Sequence, residues 1–262
     1  MIDLSTMTIG TDAELPIQLL DGSWIPVTGL VGGTKDEPIP LGKLGPGFFV
    51  QEDCTNLEFN VPACQSGGKL ELAVAKALKE IRNILPPTMT AKIESLVEYN
   101  PKFLQIPQTR VFGCMPDFNV YTKEENPRPS AKNPNVRTAA AHVHLGWANP
   151  TNEDRFAFVK MLDLFMALAF VAHDNAKRRE LYGRAGSFRP KEYGLEYRVL
   201  GNSWLNGYIP VIWDFARMAA GAVNSKVALS PEEEKTVINC INTGKINDAG
   251  LSVGSKYGVY FV

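Results

Sequence analysis

Four segments of this chain alternate apolar and chemically active side chains with a period of two. That period demands strands whose two faces are unlike. In TDAEL, Asp12 and Glu14 point one way; in NLEFNV, Glu58 stands between Leu57 and Phe59. In RTAAAHVHLGW, His142 and His144 share one face while Val143 and Leu145 share the other, and in EYR Glu196 and Arg198 share a face. Taken singly, each has a plain reading as well as a chemical one. Two acids on one strand face are costly unless a cation or an arginine lies between them, although an edge strand showing acids to water is common. Glu58 fits simple in-out alternation, and equally an acid aimed inward at a metal. Paired imidazoles followed by Gly146 suit metal or phosphate binding.

The basic counterpart is residues 178–204, RRELYGRAGSFRPKEYGLEYRVLGNSW, which place Arg178, Arg179, Arg184, Arg189, Lys191 and Arg198 among four glycines. Planar guanidinium forks beside glycines, where backbone approaches closely, suit a phosphate or carboxylate. The plain alternative is a solvated basic loop with an ordinary salt bridge.

A chain of 262 residues, 45% hydrophobic and 21% charged, is long enough to bury a sizeable core, and one compact domain over residues 1–262 is expected. A formal charge of -1 gives no support for a generic nucleic-acid or membrane-surface binder. Cys54, Cys64, Cys114 and Cys240 show no CxxC spacing, and the first ten residues lack the pattern of a signal peptide, so reduced thiols in a cytoplasm are expected. The most apolar stretch, residues 156–172, is interrupted by Lys160 and Asp163 and reads as a buried helix, too short to span a bilayer. The 3 histidines exclude any site needing four or more imidazoles. A multi-metal site must therefore be mostly carboxylate, which favours Mg²⁺ or Mn²⁺ over zinc.

Along the chain, residues 6–29 read as two strands about the turn at Asp21 and Gly22. The run Gly32, Gly33, Thr34, Lys35 is not a P-loop, and Lys35 reads as a surface lysine with an anion contact left open. Helical spacing covers residues 69–85, and AKIESLVEY reads as a strand. Residues 100–135 form a connection long enough to suggest a binding loop or lid. A helix is expected over 152–174 with Asn152 as N-cap, then helices over 213–223 and from Ser230, with Pro231 in the first helical position.

The order TDAE, LEFN, HVHLGW, RRELYGRAGSFRPKEYGLEYR resembles the phage phiEco32-like COOH-NH2 ligases, carboxylate–amine ligases of the superfamily of glutamine synthetase and glutamate–cysteine ligase. The likeness covers roughly residues 8–206. It implies Asp12, Glu14, Glu58, His142 and Glu196 as metal ligands, with Asp53 nearby. It implies His144 on an ATP phosphate, Arg198 and Arg189 at the phosphoryl group or the substrate, and Arg137, Arg179 and Arg184 more loosely as anion-site residues. Two departures stand out: Ala13 where relatives have proline, and Met115 where they tend to have aspartate, leaving Asp117 as the acid of that loop.

The resemblance further implies an α+β fold like the glutamine synthetase catalytic domain, a curved and mostly antiparallel sheet with helices on its convex side. It implies ATP and Mg²⁺ (or Mn²⁺) as cofactors, a carboxylate and an amine as substrates, a homo-oligomer as a possible assembly, and a host cytoplasm if the chain is phage-encoded. Acids and arginines without a Ser, Cys or His triad agree with phosphoryl transfer, which needs charge neutralisation and positioning rather than a protein nucleophile. A metal-dependent hydrolase using HxH, an inactive phage accessory protein on the same fold, and a nucleic-acid binder using the arginine block are the rival readings.

Overall fold

The computed structural model describes residues 1–110, 117–127, 129 and 131–262. Cys114 and Met115 lie outside them. The fold is α+β, and its largest element is an antiparallel sheet of eight strands: β1 (Thr8–Leu15), β2 (Ile39–Pro40), β3 (Phe49–Asp53), β4 (Asn56–Asn60), β5 (Phe118–Asn119), β6 (Ala141–Gly146), β7 (Ser187–Lys191) and β8 (Gly194–Tyr197). They lie in the order β2-β3-β4-β1-β6-β8-β7-β5.

The alternation in the sequence becomes two faces of this sheet. Ile9, Ala13 and Leu15, Leu57 and Phe59, Val143 and Leu145, Phe188, Leu195 and Tyr197 are buried in one hydrophobic cluster. The same cluster takes Leu70 and Val74 from helix α1 (Gly67–Ile84), Phe158 and Leu162 from α2 (Asn152–Leu162), and Ile212, Phe215 and Ala216 from α4 (Ile209–Asn224). Each strand thus commits its odd-facing residues to the helices, which leaves the acids and imidazoles on the opposite face. Pairing fixes who meets whom there: Asp12 opposes His142 on one side and Asn60 on the other, Glu14 opposes Glu58, and Glu196 stands between His144 and Arg189.

Local chemistry explains most boundaries. Ser66 caps α1, its side chain accepting from Lys69 N. Helix α5 (Pro231–Thr243) opens with a complete capping box between Ser230 and Glu233 and ends on Gly244 at φ 65°, as the sequence signals require. The first segment differs from expectation in having three strands. Pro16 separates β1 from the hairpin about Gly22 (Ile17–Leu19 with Trp24–Ile25), which joins Met89–Ala91 in a separate sheet. The strand expected across AKIESLVEY is likewise two, Met89–Ala91 and Leu96–Glu98, the second pairing with Val136–Thr138. The N-cap of α2 is Thr151, whose hydroxyl accepts from Asp154 N, so Asn152 is the first helical residue rather than the cap.

The central helix does not run on regularly to residue 174. It widens at Asp163–Ala167 into a π-helical turn and ends in a short 3-10 turn at Val171–His173. The turn faces buried Asp163 toward the sheet, where it accepts hydrogen bonds from Tyr197 Oη (2.5 Å) and Tyr121 Oη (2.9 Å). Helices α3 (Ala176–Leu181) and α6 (Asp248–Lys256) complete the set labelled here. Among the described residues no helix is long and apolar enough to cross a membrane.

Candidate active site

The polar face of the sheet gathers two sets of donor atoms. Asp12, His144 and Glu196 offer ligand atoms within 4.8 Å of one another, and Glu14, Asp53 and Glu58 form a second set by the same measure. Neighbouring strands supply them: β1 carries Asp12 and Glu14, β3 Asp53, β4 Glu58, β6 the histidines and β8 Glu196. Asp12 and Glu14 are successive residues on one face of β1, so the two sets adjoin.

Nothing within the second set neutralises its charge. Burial first, and then the Asp53 carboxylate, raise Glu14 to about 8. Burial also lifts Glu58 well above the carboxylate range, with Asp12, Asp53 and Glu14 adding to it. Neutral donors steady both: Ala140 N–H and Asn56 Nδ2 donate to Glu14 Oε2 (3.0 and 3.4 Å), and Gln51 Nε2 donates to Glu58 Oε1 (2.6 Å). Three converging carboxylates, two of them held by amides and N–H groups, are the donor set of a hard divalent cation.

In the first set the histidines supply the positive charge. Burial alone would raise Asp12, but the charges of His144 and His142 outweigh it and hold its carboxyl well below the usual range. Asp12 Oδ1 lies 2.9 Å from His142 Nδ1 and 3.1 Å from His144 Nε2. The second contact lacks hydrogen-bond alignment, so His144 Nε2 is buried without a hydrogen-bond partner among the described residues. With Glu196 beside them, these atoms lie close enough together to ligate one cation. On its other side His144 Nδ1 shares a hydrogen bond with the Tyr193 hydroxyl, the arrangement that fixes a ligating imidazole. The family likeness implies His142 as the ligand, whereas the converging atoms here include His144. His142 Nδ1 is taken up by Asp12 and lies 3.3 Å from Arg198 Nη1; burial and then the Arg198 charge lower its pKa.

Glu196 is surrounded by cations. Arg198 pairs closely with it, Lys191 Nζ lies 2.8 Å from Oε2 and Arg189 Nη1 lies 3.5 Å from Oε1. Arg198 also bonds the Tyr182 hydroxyl and, through Nε, Asp117 at 3.3 Å. The expected face-sharing of Glu196 and Arg198 holds, and Asp117 does reach the site, locked in turn by Asn126 Nδ2 (2.8 Å).

Other arginines of the sequence pattern are spent elsewhere. Arg137 is buried and donates to the carbonyls of Thr109, Pro134 and Val136. Arg178 and Arg179 are buried at 0% and 1% exposure. Both pair with Asp174, at 2.9 and 2.7 Å, and both donate to the carbonyl of Val199, the residue after Arg198. Gly183, at φ +75°, makes room for them, since a Cβ there would strike the Arg178 guanidinium and lie 2.6 Å from Val199 O. These two arginines clamp the backbone behind the site and do not face it. Arg184 is exposed in the turn before β7.

Residues that the motifs did not mark include Tyr182, Tyr193, Gln51 and Asn56. The alternation in FVQED places Gln51 with Asp53 on the site face, a signal readable once β3 is known to lie beside β4. The tyrosines carry no such signal, because only the folded geometry brings their hydroxyls to Arg198 and His144.

Residues 136–227 match the family described as phage phiEco32-like COOH.NH2 ligase-type 2, and this span contains the two histidines, the Asp174 clamp and Glu196 with Arg198. No curated protein sequence matches the chain. Among solved structures, one described as a novel glutamine synthase homolog superposes at a TM-score of 0.42 with 12% identity, over 97% of this chain and 66% of its own. The chain thus spans about two thirds of that protein's length. The match over residues 136–227 is to the same family that the motifs of the sequence resemble.

Proposed function

We propose that this protein is an ATP-dependent carboxylate–amine ligase that joins its substrates through an acyl phosphate. The observation that carries the reading is the pair of adjoining donor sets, Asp12/His144/Glu196 and Glu14/Asp53/Glu58, bordered on one side by Arg189, Lys191 and Arg198. The two sets would hold divalent cations, Mg²⁺ or Mn²⁺, which supply charge neutralisation at phosphate oxygens.

In this reading a substrate carboxylate oxygen attacks the terminal phosphorus of ATP, and the bond to the ADP oxygen breaks. The amine nitrogen then attacks the acyl carbon; phosphate leaves with the C–O electron pair and the nitrogen gives up a proton. The chain's own part is to bind and orient. Arg189 and Arg198, planar and permanently charged, suit the oxygens of the transferred group, and Tyr182 with Asp117 keep the Arg198 fork in one orientation. The Arg178/Arg179/Asp174 clamp fixes the backbone from which Arg198 projects.

The test is release of ADP and phosphate from ATP with Mg²⁺ over a panel of carboxylates and amines, with Glu196→Gln as control. Support is a pair that stimulates release and yields a product whose mass is the sum of the two less water. Turnover without ATP would instead favour a hydrolase, and absence of both nucleotide binding and turnover would reduce the protein to a binding scaffold.

A further inference from the structure

Asp163 is a buried acid to which the proposed chemistry gives no task. It opens the π-helical turn Asp163–Ala167, a kind of turn that is rare within helices and frequent at functional sites. Its carboxylate accepts from Tyr197 Oη at 2.5 Å and from Tyr121 Oη at 2.9 Å.

Both phenols lead to Arg198. The first route is short, since Tyr197 ends β8 and stands between Glu196 and Arg198. The second runs through the loop after β5. Tyr121 N donates to Asn119 Oδ1 (3.0 Å), Asn119 Nδ2 to Asn126 Oδ1 (3.3 Å) and Asn126 Nδ2 to Asp117 Oδ1 (2.8 Å). Asp117 Oδ2 in turn accepts from Arg198 Nε at 3.3 Å. Gly186, at φ +81°, lets this loop close on the start of β7: a Cβ there would lie 2.7 Å from the Tyr121 ring and 2.9 Å from Asn119 Oδ1. One carboxylate in the core therefore holds both the strand that leads into Arg198 and the loop whose acid holds its guanidinium.

We propose that Asp163 is a positioning residue of this site, which through Tyr197 and the chain Tyr121–Asn119–Asn126–Asp117 sets the direction of the Arg198 guanidinium toward the transferred phosphoryl group. The proposal rests on the ligase reading above. Apolar side chains of the same shape would fill the space without burying a charge, so what the acid adds is direction, fixed by hydrogen bonds where packing alone is looser.

The same contacts make the hold depend on pH. Burial pushes Asp163 up to about 7 against the opposing effects of the two phenols, a hydrogen bond from Gly186 N and the charge of Arg179 on α3. Lys160 lies 5.2 Å over the Tyr121 ring and pairs with Glu234 of α5 at 2.5 Å, while the buried residues of α4, which packs on the same turn, are apolar. Above about 7 the ionised carboxylate accepts from both phenols. Below it the carboxyl carries its own proton and meets one phenol donor to donor, until that phenol turns and its tie is lost.

The test is calorimetric binding to the full chain, with Mg²⁺, of ADP and of a β,γ-imido analogue of ATP, with denaturant unfolding to confirm the fold. Wild type, Asp163→Asn and Tyr121→Phe are compared. Asparagine stands for the protonated acid at every pH, and its comparison with wild type cancels the titration of the ligand itself. At about pH 8.5 Asp163→Asn should bind the analogue about fivefold more weakly and ADP within about twofold of wild type; at about pH 6, where wild type is itself protonated, the analogue difference should fall below about twofold. Tyr121→Phe removes one hydroxyl only; it should lose about twofold to threefold for the analogue alone, and it carries the test if Asp163→Asn does not fold. Equal losses for both nucleotides, or a loss as large in acid, would overturn the proposal and leave Asp163 a residue of packing. Failure of wild type to bind either nucleotide would sink the ligase reading together with this one; analogue binding that both variants leave unchanged would sink this one alone.

Discussion

Replacing Glu14 by glutamine should make the metal-free protein more stable at neutral pH and weaken its response to metal. Glu14 is raised from 4.5 to about 8 by burial and by Asp53. A carboxyl whose pKa is higher folded than unfolded adds stability in acid, and loses it as pH rises through the interval between the two values. At about pH 7.5 some three units of that interval have been crossed, so at ~1.4 kcal/mol per unit the ceiling is about 4 kcal/mol, lowered by whatever relaxation and water entry the site allows. Glutamine keeps the acceptor oxygen that Ala140 N and Asn56 Nδ2 use, and its amide can donate toward Asp53 or Glu58. Denaturant unfolding in EDTA should therefore show Glu14→Gln more stable than wild type by about 2–4 kcal/mol near neutrality, with the gap closing below about pH 4.5. Added Mn²⁺ should stabilise wild type by more than it stabilises the variant, which keeps only the Asp12/His144/Glu196 set whole. A variant less stable than wild type at both pH values, or a wild type indifferent to metal, would refute the account of this cluster as a cation site.

Three further substitutions probe separate parts of the site. Arg198→Lys should lower kcat by about a hundredfold or more with the fold intact, because an ammonium cannot meet Glu196, Asp117 and Tyr182 together as the guanidinium does; a loss under threefold would make Arg198 structural. Tyr193→Phe removes the partner of His144 Nδ1 and should weaken Mn²⁺ binding by about tenfold in calorimetry, whereas unchanged affinity would mean that His144 needs no outer support. Asp174→Asn leaves Arg178 and Arg179 buried without their carboxylate and should cost about 3–5 kcal/mol in denaturant unfolding; a cost under about 1 kcal/mol would show that the backbone carbonyls alone satisfy them.

Much of this was legible in the sequence because the chemistry has the period of a strand. Asp12 with Glu14, His142 with His144, and Glu196 with Arg198 were assigned to common faces by spacing alone, and pairing with Glu58 needed only the register that β1 and β4 adopt. The helix start marked by Ser230 was equally plain, since its hydroxyl bonds within three residues along the chain. What spacing does not carry is direction in three dimensions. The basic stretch was read as one anion site, yet Arg178 and Arg179 lie on α3 and turn into the protein, while Arg189 and Arg198 lie on or beside strands whose alternation brings them to the polar face. Composition cannot separate these pairs; only the element that carries each arginine does. The break of the central helix at Asp163 escaped for a like reason, because the tyrosines that satisfy this acid are 42 and 34 residues away.

The two-faced sheet also bears on how the ligase reading can fail. Each strand that supplies an acid to the site supplies its neighbours to the core, as Glu58 lies between Leu57 and Phe59 and Glu196 between Leu195 and Tyr197, all four of them fully buried against the helices. An amide in place of either acid changes charge on the polar face and leaves the apolar contacts untouched. Loss of ADP formation in Glu58→Gln or Glu196→Gln therefore reports on chemistry, provided that the unfolding transition remains. If either variant failed to fold, the acid would be holding strands together rather than serving a reaction, and the two donor sets would have to be explained as a buried polar network.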